Sequence, residues 1–298
     1  MKSKKSKRTS KLREILLSLI VLAAFAFPVI VTTTWAHDAL LGSSDPRKIN
    51  KIEKLNTREI DKKLQDIKPF KEPIISVTFD DGWESIYSNA LPLLQKYGVP
   101  TTQYILASEF NNQLYLSEKQ ITSMQEAGHE IASHTMTHEN LTSISEADRR
   151  WELGESKKIL SKKFGPIKDF ASPLGAEDED TIESIKQFYR SNRNTEGDAQ
   201  SVGIEDINTE TEFDIYSINA FSVRDDTSLD EIKNLIEYNQ KTNGWLVLIY
   251  HQVDYSGAVY SVTPEVLETQ LQAIAGSNSR LTTMGNTIDA ITRQEKEE

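Results

Sequence analysis

Ile74-Ile75-Ser76-Val77-Thr78-Phe79 is a β-branched and aromatic run that breaks off at Asp80-Asp81-Gly82, and the chain repeats this theme to its end. Such a run reads as a strand, and the Gly-containing break as its terminus. After it, apolar runs alternate with amphipathic stretches. The spacing predicts helices over 85–97 (stopped by Gly98), 117–127 and 146–164, and strands over 101–107, 130–133 and 169–172. Helices over 181–188, 229–242 and 264–275, a strand over 245–250, and 281–284 with a closing helix continue the pattern. Strand and helix repeated over about 220 residues imply a parallel sheet covered by helices, and that length suits one barrel-like domain. Periodicity alone does not separate a barrel from an open doubly wound sheet.

Two stretches carry chemistry. Asp80 and Asp81 end the first strand, where the turning chain lets both carboxylates reach one pocket. One can bind a divalent metal while the other acts as a general base. His134-Thr135-Met136-Thr137-His138 puts two imidazoles four residues apart, close enough for one ion. Either motif alone has a bland reading, as a turn or as a surface pair. The chain has five His, two of them in this pair, so their joint occurrence points to a metal site.

These residues, followed by Ser172-Pro173-Leu174-Gly175 and by Leu246-Val247-Leu248-Ile249-Tyr250-His251, resemble the ordered signatures of the polysaccharide deacetylases, the NodB-type carbohydrate esterases of family 4. The resemblance covers roughly residues 71–292. It implies an α/β fold, a distorted (β/α) barrel of about seven parallel strands, with function at the C-terminal strand ends. It also implies Asp81, His134 and His138 as metal ligands, Asp80 as general base, and His251 as the acid that protonates the departing amine. One carboxylate and two imidazoles suit Zn²⁺, with Co²⁺, Ni²⁺ or Fe²⁺ also acceptable. Pro173, Leu174 and Gly175 would line the substrate, a backbone amide near Leu174 holding the oxyanion. His129 and His37 read as structural or surface residues.

The chain departs from the family in two places. Ala171 stands where the third signature commonly has the Arg that braces the catalytic carboxylate, and Leu174 stands where it has a Tyr. Arg193 or Arg224 is expected to replace that Arg from another strand end. The fourth signature has no clear counterpart around residues 221–226, where Asp225 is a candidate to orient His251.

Seven Lys or Arg within residues 2–13, an apolar stretch over 15–31 and Thr34-Trp35-Ala36 fit either a secretory signal or an uncleaved anchor in residues 1–36. A secreted or cell-surface location follows, with membrane contact only through that segment if it is kept. Residues 37–70 read as a spacer with a helix, and 71–298 as the catalytic domain. The net charge of −11 becomes −17 once residues 1–36 are set aside, 27 basic against 44 acidic side chains. Such a surface disfavours nucleic acid and anionic polymers as partners. No cysteine is present, so neither a disulfide nor a thiolate ligand contributes.

The leading expectation is a metal-dependent hydrolase that removes N- or O-acetyl groups from an exported or cell-surface polysaccharide such as a polymer of N-acetylglucosamine. A non-carbohydrate amidohydrolase on the same scaffold and a non-catalytic glycan-binding module are the alternatives. Exposed aromatics near the rim, Trp83, Tyr87, Tyr115 and Tyr255, are candidates for stacking on sugar faces.

Overall fold

A computed structural model describes residues 70–195, 207–210 and 213–297, all within one compact unit, Leu55–Glu298. The expected leader, the spacer helix and His37 lie outside the described residues.

Eleven strands are described: β1 (Ile74–Phe79), β2 (Thr101–Ile105), β3 (Glu130–Ser133), β4 (Asp169–Ala171), β5 (Ser191–Arg193), β6 (Ile207–Asn208), β7 (Phe221–Ser222), β8 (Trp245–Tyr250), β9 (Gln252–Val253), β10 (Ser261–Val262) and β11 (Arg280–Leu281). Helices are α1 (Leu91–Tyr97), entered through a π-helical turn over Ile86–Ala90, α2 (Glu118–Glu126), α3 (Glu146–Phe164), α4 (Glu179–Lys186), α5 (Leu229–Thr242), α6 (Pro264–Ala275) and α7 (Met284–Glu297). Local chemistry sets their ends. Ser117 with Gln120 and Ser228 with Glu231 form capping boxes, and Ser145, Asp178 and Thr263 cap α3, α4 and α6.

The strands β5-β4-β3-β2-β1-β8 lie side by side, every pair parallel. β8 is flanked on its far edge by parallel β7 and, lower down, by antiparallel β6. The backbone of residues 215–218, just before β7, bonds to Asn192 and Asn194, and Arg193 bridges Ile218 in parallel. The sheet therefore curls into the expected distorted barrel of seven mostly parallel stations, with 215–222 as the sixth.

Alternation along each strand builds two cores. Ile75, Val77, Phe79, Leu246 and Leu248 face the helices, packing with Leu94, Ile121, Leu153, Leu160 and Leu271. Ile74, Tyr104, Ala132, Ala171, Trp245 and Val247 fill the barrel, and Met284, Ile288 and Ile291 of α7 plug its floor. Trp245 satisfies its buried indole N–H on Ser76 Oγ at 3.0 Å.

The floor holds a buried carboxyl pair. Glu130 accepts from Thr102 Oγ1 and from the Gly285 amide, both at 2.8 Å, and Asp169 accepts a bidentate pair from Arg190 at 2.8 and 2.9 Å. Burial, then the neighbouring Asp169 charge, pushes the Glu130 carboxyl up to about 8. Only glycine fits at 285, because a Cβ there would lie 2.4 Å from Glu130 Oε1. A polar cleft of about 280 Å³ opens beside this cluster, lined by His129, Glu130, Asp169, Arg190 and Asp289. It sits at the end opposite the Asp80-Asp81 turn, and its charged groups are largely paired with one another, so we assign it to the floor of the barrel and not to catalysis.

Candidate active site

At the top of β1 the Asp80 amide donates to the Tyr250 carbonyl at 2.9 Å, tying the end of β1 to β8. The chain then turns through two left-handed residues, Asp81 (φ 71°) and Gly82 (φ 81°). A Cβ at Gly82 would meet Ile105 Cδ1 at 3.0 Å, so the turn needs glycine for both conformation and space. Its consequence is that neighbouring carboxylates face one region. Asp81 Oδ2 accepts from Trp83 Nε1 at 2.9 Å, while Oδ1 is buried without a hydrogen-bond partner. That oxygen lies 3.7 Å from His134 Nε2 and 3.5 Å from His138 Nε2.

His134 follows β3, and its Nδ1 lies 2.9 Å from the Ala171 carbonyl oxygen. A carbonyl can only accept, so Nδ1 carries the proton and Nε2 presents a lone pair to Asp81. Burial, opposed by Asp80 and Asp81, pulls the imidazole down to about 4, which keeps it neutral. One carboxylate oxygen and two imidazole nitrogens lie within 4.8 Å of one another. Donors roughly 2.0–2.1 Å from a shared ion in tetrahedral geometry sit about 3.4 Å apart. The residues present therefore fit a divalent ion.

Asp80 lies beside this trio, its Oδ2 3.8 Å from His134 Nε2. The fully buried Arg193, at the end of β5, donates from Nη2 to the same oxygen. Its guanidinium also lies over the Tyr104 ring, 5.1 Å from the centroid. Burial opposes the Asp80 charge, but the Arg193 guanidinium foremost outweighs it, and the carboxyl is held below its usual range. His251, directly after β8, has its ring tilted 41° to that of Tyr260 with centroids 5.0 Å apart, and its Nδ1 is buried without a hydrogen-bond partner.

Residues 67–190 match the family model described as Polysaccharide deacetylase. That segment is similar to the polysaccharide deacetylases. The chain is 31% identical over 170 residues to YxkH of Bacillus subtilis (strain 168), covering 56% of this chain and 57% of that one. It is 32% identical over 133 residues to the poly-beta-1,6-N-acetyl-D-glucosamine N-deacetylase of Staphylococcus aureus (strain MRSA252), covering 40% of this chain and 46% of the other. The chain thus spans about half the length of these relatives. The solved Xyl-CE4 domain of a multidomain xylanase, from the hindgut metagenome of Trinervitermes trinervoides, superposes with TM-score 0.53 at 20% identity, covering 74% of this chain and 92% of that domain. It shares the fold.

Against the deacetylase signatures, two second-line candidates part company. Arg193 donates to Asp80, the contact expected of the Arg that Ala171 replaces. Arg224 instead faces Asp226 at 3.7 Å and lies over Tyr260 at 5.8 Å. The expectation that Asp225 orients His251 is corrected. Asp225 is exposed, its amide bonds to the Val259 carbonyl, and His251 Nδ1 has no partner. The cause is local, since the chain turns outward after β7 to reach the Ser228 cap of α5.

Pro173–Gly175 forms a 3₁₀ turn with Leu174 left-handed (φ 59°) and 62% exposed. Ser172 Oγ donates to Asn192, and Glu177 accepts from Asn192, Asn194 and Ser217, bracing the turn. Trp83 stacks on Tyr115 at 4.7 Å, and Tyr255 is 70% exposed, its hydroxyl donating to Glu265. His129 is buried against Thr101 Oγ1 at 2.7 Å near the floor, in keeping with its structural reading. Sequence reasoning missed two acids, Glu177 and Glu152; the latter, from α3, accepts from the amides of Met136 and Thr137 between the paired histidines.

Proposed function

We propose that this chain hydrolyses acetyl groups from an acetylated polysaccharide at the cell surface or outside the cell, with an N-acetylglucosamine polymer as the first candidate. The observation that carries the reading is the convergence of Asp81 Oδ1, His134 Nε2 and His138 Nε2 beside an Asp80 kept charged by Arg193. The name of the staphylococcal relative supports the choice of polymer. The trio would hold Zn²⁺, or Co²⁺, Ni²⁺ or Fe²⁺, which supplies Lewis-acid polarisation of an acetyl carbonyl and makes water more acidic.

The protein's own groups divide the proton work. Asp80 Oδ2 is committed to Arg193, whereas Oδ1 is buried without a partner, so Oδ1 is the atom that takes the proton from attacking water. His251 gives a proton to the amine nitrogen as the C–N bond breaks. Amides of Gly175 and Ala176 are used within the 173–176 turn, so the Leu174 N–H is assigned to the oxyanion. The Trp83–Tyr115 stack and exposed Tyr255 offer faces for sugar rings. The basic flank and apolar stretch of residues 1–36 support an exported, surface-held or secreted domain.

Acetate release by the metal-loaded full chain from a panel of N- and O-acetylated glycans tests the activity. Release from an acetylglucosamine polymer, abolished in Asp80→Asn, is the expected result. Acetate from none of the glycans, with release from small non-carbohydrate amides, would replace the reading by the amidohydrolase alternative. Protease added to intact cells should digest the domain; its full protection in the cytosol would contradict export.

A further inference from the structure

The loop that carries His134 and His138 is costly to form. Thr135 (φ 72°) and His138 (φ 65°) are both left-handed, a conformation in which a non-glycine residue persists only where its surroundings over-determine it. Its carbonyls at Thr135 and Met136 accept from the amides of Ala107 and Ser108, each at 3.0 Å, and the His138 amide donates to Thr135 Oγ1 at 3.0 Å. Three further donors of Met136 and Thr137 converge on one side chain. Glu152 Oε2 accepts from the amides of Met136 (2.8 Å) and Thr137 (3.0 Å), and Oε1 accepts from the Thr137 hydroxyl.

We infer that Glu152 is a positioning residue, which holds the two imidazoles in ligand geometry through the reach of its hydrogen bonds and not through its charge. Glu152 is 3% exposed and makes no salt bridge among the described residues, so the three donors are what offset its burial. It stands in α3, a 19-residue helix capped by Ser145 and packed through Leu153 and Leu160, which gives the carboxylate a rigid base. Each side-chain hydrogen bond it makes among the described residues falls on Met136 or Thr137, the middle of the His-to-His span. Outer partners of metal ligands commonly govern affinity by about 10–100-fold. The inference rests on reading Asp81, His134 and His138 as ligands.

Reach and charge are separated by two conservative variants of the full chain. Glu152→Asp keeps the charge but withdraws the carboxylate by one carbon–carbon bond, about 1.5 Å, beyond hydrogen-bond distance of the loop amides. Glu152→Gln loses the charge but keeps the reach, its oxygen accepting from both amides and its NH₂ donating to Thr137 Oγ1. Zn²⁺ affinity is measured by competition with a chromophoric chelator, the Co²⁺ visible spectrum reports ligand geometry, and melting of metal-free protein reports folding. The Asp variant should lose about 10–100-fold in Zn²⁺ affinity with an altered Co²⁺ spectrum, and the Gln variant should stay near wild type in both. Wild-type affinity in the Asp variant, or a Gln variant weakened as much as the Asp variant, overturns the inference. Should the Asp variant not fold, the Gln variant decides alone: retained affinity supports positioning by reach, and lost affinity refutes it. An Asp81→Asn protein that binds Zn²⁺ as wild type does would instead remove the ligand assignment beneath it.

Discussion

Arg193→Met removes one half of a buried ion pair and leaves the other half behind. Both side chains are almost wholly inaccessible, 1% for Arg193 and 4% for Asp80, so water cannot stand in for the guanidinium. Breaking a buried pair from one side costs about 3–5 kcal/mol, chiefly because an uncompensated charge remains. A domain of this size loses about 2–4 °C in Tm per kcal/mol, so the expected fall is roughly 6–20 °C. Asp80→Asn in the same background removes the stranded charge, and the double variant should melt well above Arg193→Met alone. Circular-dichroism melts of the four proteins at neutral pH close the double-mutant cycle. Activity should respond in parallel. In the wild type the Asp80 carboxyl is held below its ordinary value of 3.8 by Arg193, so the stability it contributes is present above that pH and is lost as pH falls through the depressed value. Without Arg193, burial acts with less opposition, the carboxyl moves up, and the acid limb of the pH–activity profile moves up with it. A Tm within about 2 °C of wild type, too small for the loss of a buried partner, would refute the reasoning. So would a double variant no more stable than the single.

The adjacent carboxylates should separate cleanly. Asp80→Asn is expected to keep its metal and fold while losing about 10²–10⁴ in rate, and Asp81→Asn to lose metal affinity and recover activity partly with excess metal; metal analysis beside acetate release checks both, and the opposite pattern would exchange the roles. His251→Ala should keep the metal and be least impaired on acetyl esters whose leaving group needs no protonation, so equal losses on all substrates would count against its acid role. Glu130→Gln tests the barrel floor. The Glu130 carboxyl is raised from 4.5 to about 8, so its contribution to stability is complete below 4.5 and drains away as pH rises towards 8. The wild type should lose Tm across that window and the Gln variant should lose less; parallel curves would contradict the raised Glu130 carboxyl.

Much of this was readable from residue order, for definable reasons. β1 and β8 announce themselves because both are buried on each face, β8 as an unbroken apolar and aromatic run and β1 as a β-branched and aromatic one broken only by Ser76 and Thr78, and Asp80, Asp81 and His251 are the first charged or titrating residues beyond them. Helices α2, α5 and α6 were legible through their apolar spacing over 117–127, 229–242 and 264–275, and the structure adds Ser117, Ser228 and Thr263 as their caps. Arg193 was one of two arginines offered, and the choice needed the sheet: only pairing of β5 beside β4 turns it inward over Tyr104. Two-residue strands such as β6, β7 and β11 are too short for any period to show. Glu152 was hidden for a different reason. The buried side of α3 includes Arg149, Glu152 and Ser156, so hydrophobic spacing marks that face poorly. A charged residue on a long helix ordinarily reads as solvated; here its partners are backbone amides 15 and 16 positions away.

The seam between β1 and β8 joins residues far apart in the chain, 170 positions where Thr78 Oγ1 meets the Leu248 carbonyl. A nascent chain that has emerged through Arg193 can hold β1 to β5 side by side, but β1 is then the margin of an open sheet. Its Ile-Ile-Ser-Val-Thr-Phe backbone would offer a ready template to any other extended segment. At about 5–20 residues per second, synthesis from Arg193 to Tyr250 takes roughly 3–11 s, and that interval is the exposure time of the edge. Arrival of Trp245–Tyr250 ends it, and the plug of Met284, Ile288 and Ile291 follows within a few dozen residues. The strand that leads into Asp80 and Asp81 is thus also the one that a ribosome-associated chaperone has most reason to shield.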